Sequence, residues 1–276
     1  MIETSFDALF DFKYGAAVTV KNKKYGLINK DGKVLSETQF DIIYDFRNGF
    51  AKVLRDGKWG MIGKDGKTVL EPQFDIIQDF HEGLLKVKKG NKWGLINSEG
   101  RVQTGPQFDE IYNFFNGLAM VQKDNMYGLV NKAGEAVTEP RFDYIDIQAG
   151  FSDGSVKITR DKKYGLINRE GKIITGPQFD WISGFSGNMA QVLINKKWGF
   201  INREGRIVIE ARYDESFPFI NGLAAVVKDS RFGLINMEGN AVLELQYDNI
   251  SGYTEGIAVV KKDNKWGLVK IKVKGK

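Results

Sequence analysis

The stretch "NKWGLINSEG", residues 91–100, decides the reading of this chain. Near-copies stand at residues 57–66, "GKWGMIGKDG", and at 196–205, "KKWGFINREG". Each runs from a large aromatic through a glycine and an apolar pair to a polar turn. The aromatic–glycine pair begins at Tyr25, Trp59, Trp93, Tyr127, Tyr164, Trp198, Phe232 and Trp266, in steps of 34 residues with one step of 37. A second marker keeps the same period: an aromatic followed by Asp7, Asp41, Asp75, Asp109, Asp143, Asp180, Asp214 or Asp248. A third is a glycine before an apolar pair, with Asn188 in one slot, where a left-handed backbone is expected because Asn tolerates positive φ best after glycine. Eight copies at one spacing define a tandem-repeat architecture over the whole chain, residues 1–276.

One copy reads as four short strands. "FDIIYDF" (40–46) is rich in Ile and aromatics, and "GFAKVLR" (49–55) alternates. "KWGMIG" (58–63) follows the turn Asp56-Gly57, and "KTVLEP" (67–72) follows Asp65-Gly66. Such dipeptides favour hairpins, and Pro72 is expected to end the fourth strand at a sheet edge. No segment keeps a helical period. The aromatics are read as core between repeats, and the glycine beside each as room for a neighbouring repeat's aromatic. The long step comes from three extra residues in "FDYIDIQAGFSDG", within 143–154, read as a loop or bulge.

These units resemble the WG (KWG) repeats of bacterial proteins, on "KWGLIN", the "DGK" turn, "PQFDxI" and "GLAxV". The resemblance implies a β-rich repeat scaffold for interaction and carries no catalytic residues. The phase of the ends, eight whole periods cut within a fourth strand, favours a closed eight-bladed propeller-like ring; an open superhelical β-solenoid is the alternative.

Composition bounds the chemistry. Cysteine is absent, so there is no disulfide and no Cys-ligated metal; no cofactor is expected. The start "MIETSFDALF" lacks the apolar run of a signal peptide, and no run reaches membrane-spanning length. A cytoplasmic protein is expected, or a secreted or periplasmic one if a leader precedes it. The single histidine, His81, sits beside a turn and is read as a solvated residue. The eight recurring Asp residues suggest a carboxylate ring, but glycoside hydrolysis needs an asymmetric pair. They are read instead as acceptors of backbone N–H groups at turns, as in Asx motifs. Lysines and arginines collect between the second and third strands of most copies, including Lys24, Lys58, Lys92 and Lys163, and would form a basic belt.

A non-enzymatic scaffold is therefore expected, binding a protein or other macromolecule. A carbohydrate-binding or glycan-acting protein is the first alternative, and an electrostatic binder of nucleic acid the second. A unique partner needs something to break the equivalence of eight copies. The slot after Phe-Asp varies, holding Tyr144 in the fifth copy and Trp181 in the sixth. With Phe151 in the insertion and Phe217 in the departure "DESFPFING", these are the candidate binding residues.

Overall fold

The computed structural model describes residues 5–147, 151 and 153–271. It is all-β, with eight antiparallel sheets in chain order, one per copy. Among the described residues seven sheets have four strands in sequential order and the eighth has three, Asn249–Thr254, Ile257–Lys262 and Lys265–Lys270. The second sheet illustrates the plan: Ile42–Ile43, Phe50–Arg55, Lys58–Gly63 and Thr68–Phe74. The first strand is two residues long in most copies and six in the fourth and eighth. The chain divides into two compact units, Met1–Ala136 and Val137–Lys276. The terminal residues in which the phase of the repeat placed a ring closure, 1–4 and 272–276, lie outside the described residues.

The two middle strands of each sheet pair in unbroken register through a hairpin, as Phe50↔Gly63 through Arg55↔Lys58. Asp56 and Gly57, with φ of 52° and 72°, form the left-handed tip that a two-residue hairpin requires. In the sixth copy the left-handed conformation falls on Gly187, φ 62°, directly before Asn188.

Two local expectations change. Pro72 does not end the fourth strand, which runs on to Phe74. A fourth strand is a sheet edge, where the missing N–H costs no ladder bond. The glycine beside each aromatic also has a different task. A Cβ on Gly94 would stand 2.6 Å from Thr104 O and 2.8 Å from Pro106 N; one on Gly60 would stand 2.5 Å from Leu70 O. The glycine thus admits the backbone of its own copy's fourth strand, not a neighbour's aromatic. The ladder there is irregular, with a register shift between Trp93 and Leu95, as a bulge brings two backbones together.

The core lies between consecutive sheets. Within the first unit, Met61, Leu70 and Phe74 of the second sheet pack on Ile77, Leu85, Val87 and Ile96 of the third. Within the second unit, Leu223, Leu234 and Tyr247 of the seventh sheet pack on Ala258 and Val260 of the eighth. An internal strand such as Leu223–Lys228 is therefore buried and apolar on both faces.

Candidate functional site

The recurring Asp residues explain most of the charge pattern. Asp75 Oδ2 accepts the N–H of Gly90 at the next hairpin tip (2.6 Å), and Oδ1 accepts Lys58 Nζ from the preceding copy (2.5 Å). Asp41 does the same with Asp56 N–H and Lys24, and Asp109 with Asp124 N–H and Lys92. The set repeats at Lys163–Asp180, Lys197–Asp214 and Arg231–Asp248. Each carboxylate is a clamp between the hairpin of one sheet and the hairpin of the next. The N–H acceptor role expected from the sequence holds, but the donor is usually 15 residues away and not in a local Asx turn. Asp143 has the hairpin bond from Asp161 N–H, while the slot that holds a cation elsewhere holds Met126.

The clamps set the electrostatics. The Lys58 ammonium, followed by the Gly90 N–H, holds Asp75 below the usual carboxylate range. The equivalent lysine and hairpin N–H do so for Asp41, Asp109, Asp180 and Asp214. Their partners Lys24, Lys92 and Lys197 are raised, chiefly by the same hydrogen bond. The basic belt is thus largely neutralised at its most regular position. Lys52 is also engaged, with Asp79 Oδ1 at 2.6 Å and Ile77 O at 3.1 Å. His81 is exposed and flanks a turn, its backbone paired with Leu84.

The candidate binding residues fall in two places. Trp181 is half-buried, edge-on to Trp198 of its own sheet at 5.3 Å, with Lys157 Nζ 4.8 Å from its ring centre. Tyr144 is exposed on the strand Tyr144–Ile145. Phe151 is buried and offers no surface. Phe217 is exposed on one side and stacked on Phe232 at 6.4 Å. Residues 148–150 and 152 of the insertion lie outside the described residues. Beside them Asp153 is firmly tied: its carboxylate accepts Ser155 N–H (2.9 Å) and Phe185 N–H (2.5 Å), and its carbonyl accepts Arg203 (2.8 Å). Neither Asp153 nor Arg203 stood out in the sequence.

A site the repeat pattern did not single out lies between the second and third sheets. It is a cleft of about 640 Å³ floored by Met61, Ile77 and Leu85. One wall is Tyr44 stacked on Trp59 (5.5 Å, 24°); the other carries Phe80, tilted against Phe50 at 6.4 Å. Arg47, Asn48 and the Lys52–Asp79 pair border it. A legible signal was present: the second copy alone has Gly63 where the first and third to seventh have Asn, and Met61 where the others have Leu or Phe. In those copies the Asn side chain closes the following turn, as Asn97 Oδ1 accepts Arg101 N–H; here Asp65 accepts Lys67 N–H instead.

Comparison with known proteins agrees with the repeat. A family model described as "WG containing repeat" matches residues 25–59, 59–93, 93–127, 127–154, 164–198, 198–231 and 232–266. No curated protein matches the chain. Among solved structures, it is similar to PorZ, a surface component of the type-IX secretion system of Porphyromonas gingivalis, at 8% identity and TM-score 0.26, over 96% of this chain and 45% of that one. It is similar to a eukaryotic initiation factor at 9% identity and TM-score 0.34, over 94% and 84%. It is also similar to the WD40 β-propeller domain of Doa1 at 14% identity and TM-score 0.25, over 85% and 92%. Seven consecutive matches over most of its length show that this chain belongs to the WG-repeat family.

Proposed function

We propose that the chain is a non-enzymatic scaffold whose cleft between the second and third sheets receives an apolar side chain of a protein partner. The observation that carries this reading is the cleft itself. It combines an aromatic wall, an apolar floor containing Met61, and charged groups at the rim. Such pockets take a buried anchor residue with polar contacts around it, and methionine adapts to the anchor's shape. The clamps support the same reading from the other side. Every carboxylate the fold perturbs is pushed toward ionisation, whereas a general acid working near neutrality needs the opposite shift.

The test is a displayed peptide library selected on the whole chain. Peptides carrying one recurrent large apolar residue should bind, and Tyr44→Ala with Arg47→Glu should abolish their binding. Tyr144→Ala should leave it intact. Selected peptides that bind the double variant equally well would refute the reading.

Glycan binding is the second reading, favoured by the exposed ring of Tyr44 beside Asp45, Arg47 and Asn48. Oligosaccharides that quench tryptophan fluorescence through Trp59, with no selected peptide competing, would put it first. Nucleic-acid binding is disfavoured by the clamps, which occupy six of the belt's cations.

A further inference from the structure

The cleft between the second and third sheets continues on both sides into a smaller hollow. One hollow lies between the first and second sheets. It is bordered by Tyr14, Phe46 and Lys64, and shares Arg47 and Asn48 with the cleft. The other lies between the third and fourth sheets over Leu84, Leu95 and Phe114, and shares Lys52, Asp79 and Phe80 with the cleft. All of these residues belong to the unit Met1–Ala136. The three hollows form one groove that crosses successive gaps between sheets.

Charge along the groove is uneven. Each carboxylate bordering the cleft has a lysine of its own: Asp45 with Lys13 at 3.4 Å, Asp75 with Lys58 at 2.5 Å and Asp79 with Lys52 at 2.6 Å. In the hollow beyond the third sheet, Lys86 Nζ donates to Ile111 O (2.9 Å) and Asn113 Oδ1 (3.4 Å). The hollow beside the first sheet is different. Lys64 Nζ lies 4.6 Å from the centre of the Tyr14 ring and meets no carboxylate among the described residues. Arg47 is exposed on the same hollow. It helps to hold Asp79 low from a distance, as the least of the causes, but makes no ion pair among the described residues.

The repeat itself shows what is missing there. Two copies further on, Lys132 occupies the slot of Lys64 and Glu82 the slot of Tyr14, and the two form an ion pair at 2.9 Å. The second copy keeps the cation, and the acid that would neutralise it is replaced by a tyrosine that is 67% exposed. An ammonium held against an aromatic face, with a guanidinium beside it, suits an incoming carboxylate.

Resting on the reading of the cleft as an anchor site, we propose that the partner is an extended protein segment carrying an Asp or Glu about three residues from its apolar anchor, with that side-chain carboxylate seated between Arg47 and Lys64. The spacing follows from the architecture. Stacked sheets lie about 10 Å apart and an extended chain advances about 3.3 Å per residue, so successive hollows meet about every third residue. The acid is confined to one side of the anchor, because the cations at the other end of the groove already have oxygen partners.

Random peptides displayed within a loop, with no free carboxyl terminus, are selected on the whole chain. The recurrent large apolar residue should be accompanied on one side by Asp or Glu about three places away. One selected peptide, amidated at its C-terminus, is then measured by fluorescence anisotropy. Replacing its acid by the amide should weaken binding about fivefold or more, and so should Lys64→Glu, which turns an attraction into a repulsion. A peptide with Lys in place of the acid should recover its binding on Lys64→Glu. Lys30→Glu makes the same change of net charge in the equivalent slot of the first sheet and should leave binding unchanged. Anchored peptides with no recurrent acid would overturn this proposal and leave the cleft reading standing. So would acidic peptides that bind Lys64→Glu as tightly as the wild type, or that lose as much on Lys30→Glu. Selection that yields no anchored peptide would overturn both.

Discussion

The glycine beside each repeat aromatic offers the sharpest test of how this fold is held, because one chain contains both the experiment and its control. At Gly94 the nearest backbone atom to an added Cβ is Thr104 O at 2.6 Å, with Gly105 C and Pro106 N at 2.8 Å. An ordinary contact begins near 3.4 Å, so the strand Val102–Phe108 must retreat by 3.4 − 2.6 = 0.8 Å. None of the crowding atoms is the end of a flexible side chain. Overpacking of this kind costs about 1–3 kcal/mol. Stretching the ladder that holds Leu95 to Thr104 adds about 1 kcal/mol for each weakened hydrogen bond. Alanine returns about 0.4–1 kcal/mol by restricting the unfolded chain. Gly94→Ala should therefore destabilise by about 2–3 kcal/mol. At Gly267 an added Cβ meets nothing within 4 Å, so Gly267→Ala should be neutral or stabilise by up to about 1 kcal/mol. Urea midpoints followed by tryptophan fluorescence decide the matter, with hydrogen exchange in 102–108 reporting the local loosening. A Gly94→Ala midpoint no lower than that of Gly267→Ala would refute the close-approach argument.

Other outcomes follow from the same geometry. Trp93 is buried among Leu84, Leu95, Phe108 and Phe114, so Trp93→Ala should cost about 3–5 kcal/mol in denaturant, whereas Trp266→Ala, at an exposed residue, should stay within about 0.5 kcal/mol. Trp181→Ala should lower stability by about 1–2 kcal/mol, through the lost edge-on contact with Trp198 and the exposed area, and should remove the paired-indole signal from the near-ultraviolet circular dichroism. The clamps predict a pH profile. Asp41, Asp75, Asp109, Asp180 and Asp214 are depressed in the folded chain, so their contribution is complete above the unfolded carboxylate value, near pH 4, and is lost as pH falls through the folded values. Lys24, Lys92 and Lys197 are raised, so theirs is complete below the unfolded lysine value and lost as pH rises through the folded ones. Melting temperature should be flat from about pH 5 to 9 and fall on both sides; a Lys58→Met, Lys92→Met double variant should show a shallower acid limb.

What the sequence determined by itself is whatever lies within one copy. The period, the hairpin at Asp56-Gly57, the strands around Trp59 and the all-β class follow from spacing and turn chemistry, which act over a few residues. The candidate surface was partly legible too: Trp181 is unusual in its slot, and the structure places it, like Phe217, beside the repeat aromatic of its own sheet. What the tertiary structure decided is which copy each repeated side chain faces. A period states that Asp75 and Lys58 recur; it does not state that the carboxylate reaches back 17 residues to one hairpin and forward 15 to the next. Gly94 could have faced a neighbour's ring or its own copy's backbone, and only the bulged path of the fourth strand selects the second. The cleft beside Tyr44 is a property of the gap between two sheets. Gaps arise from packing distances in three dimensions, and a one-dimensional repeat carries no measure of them.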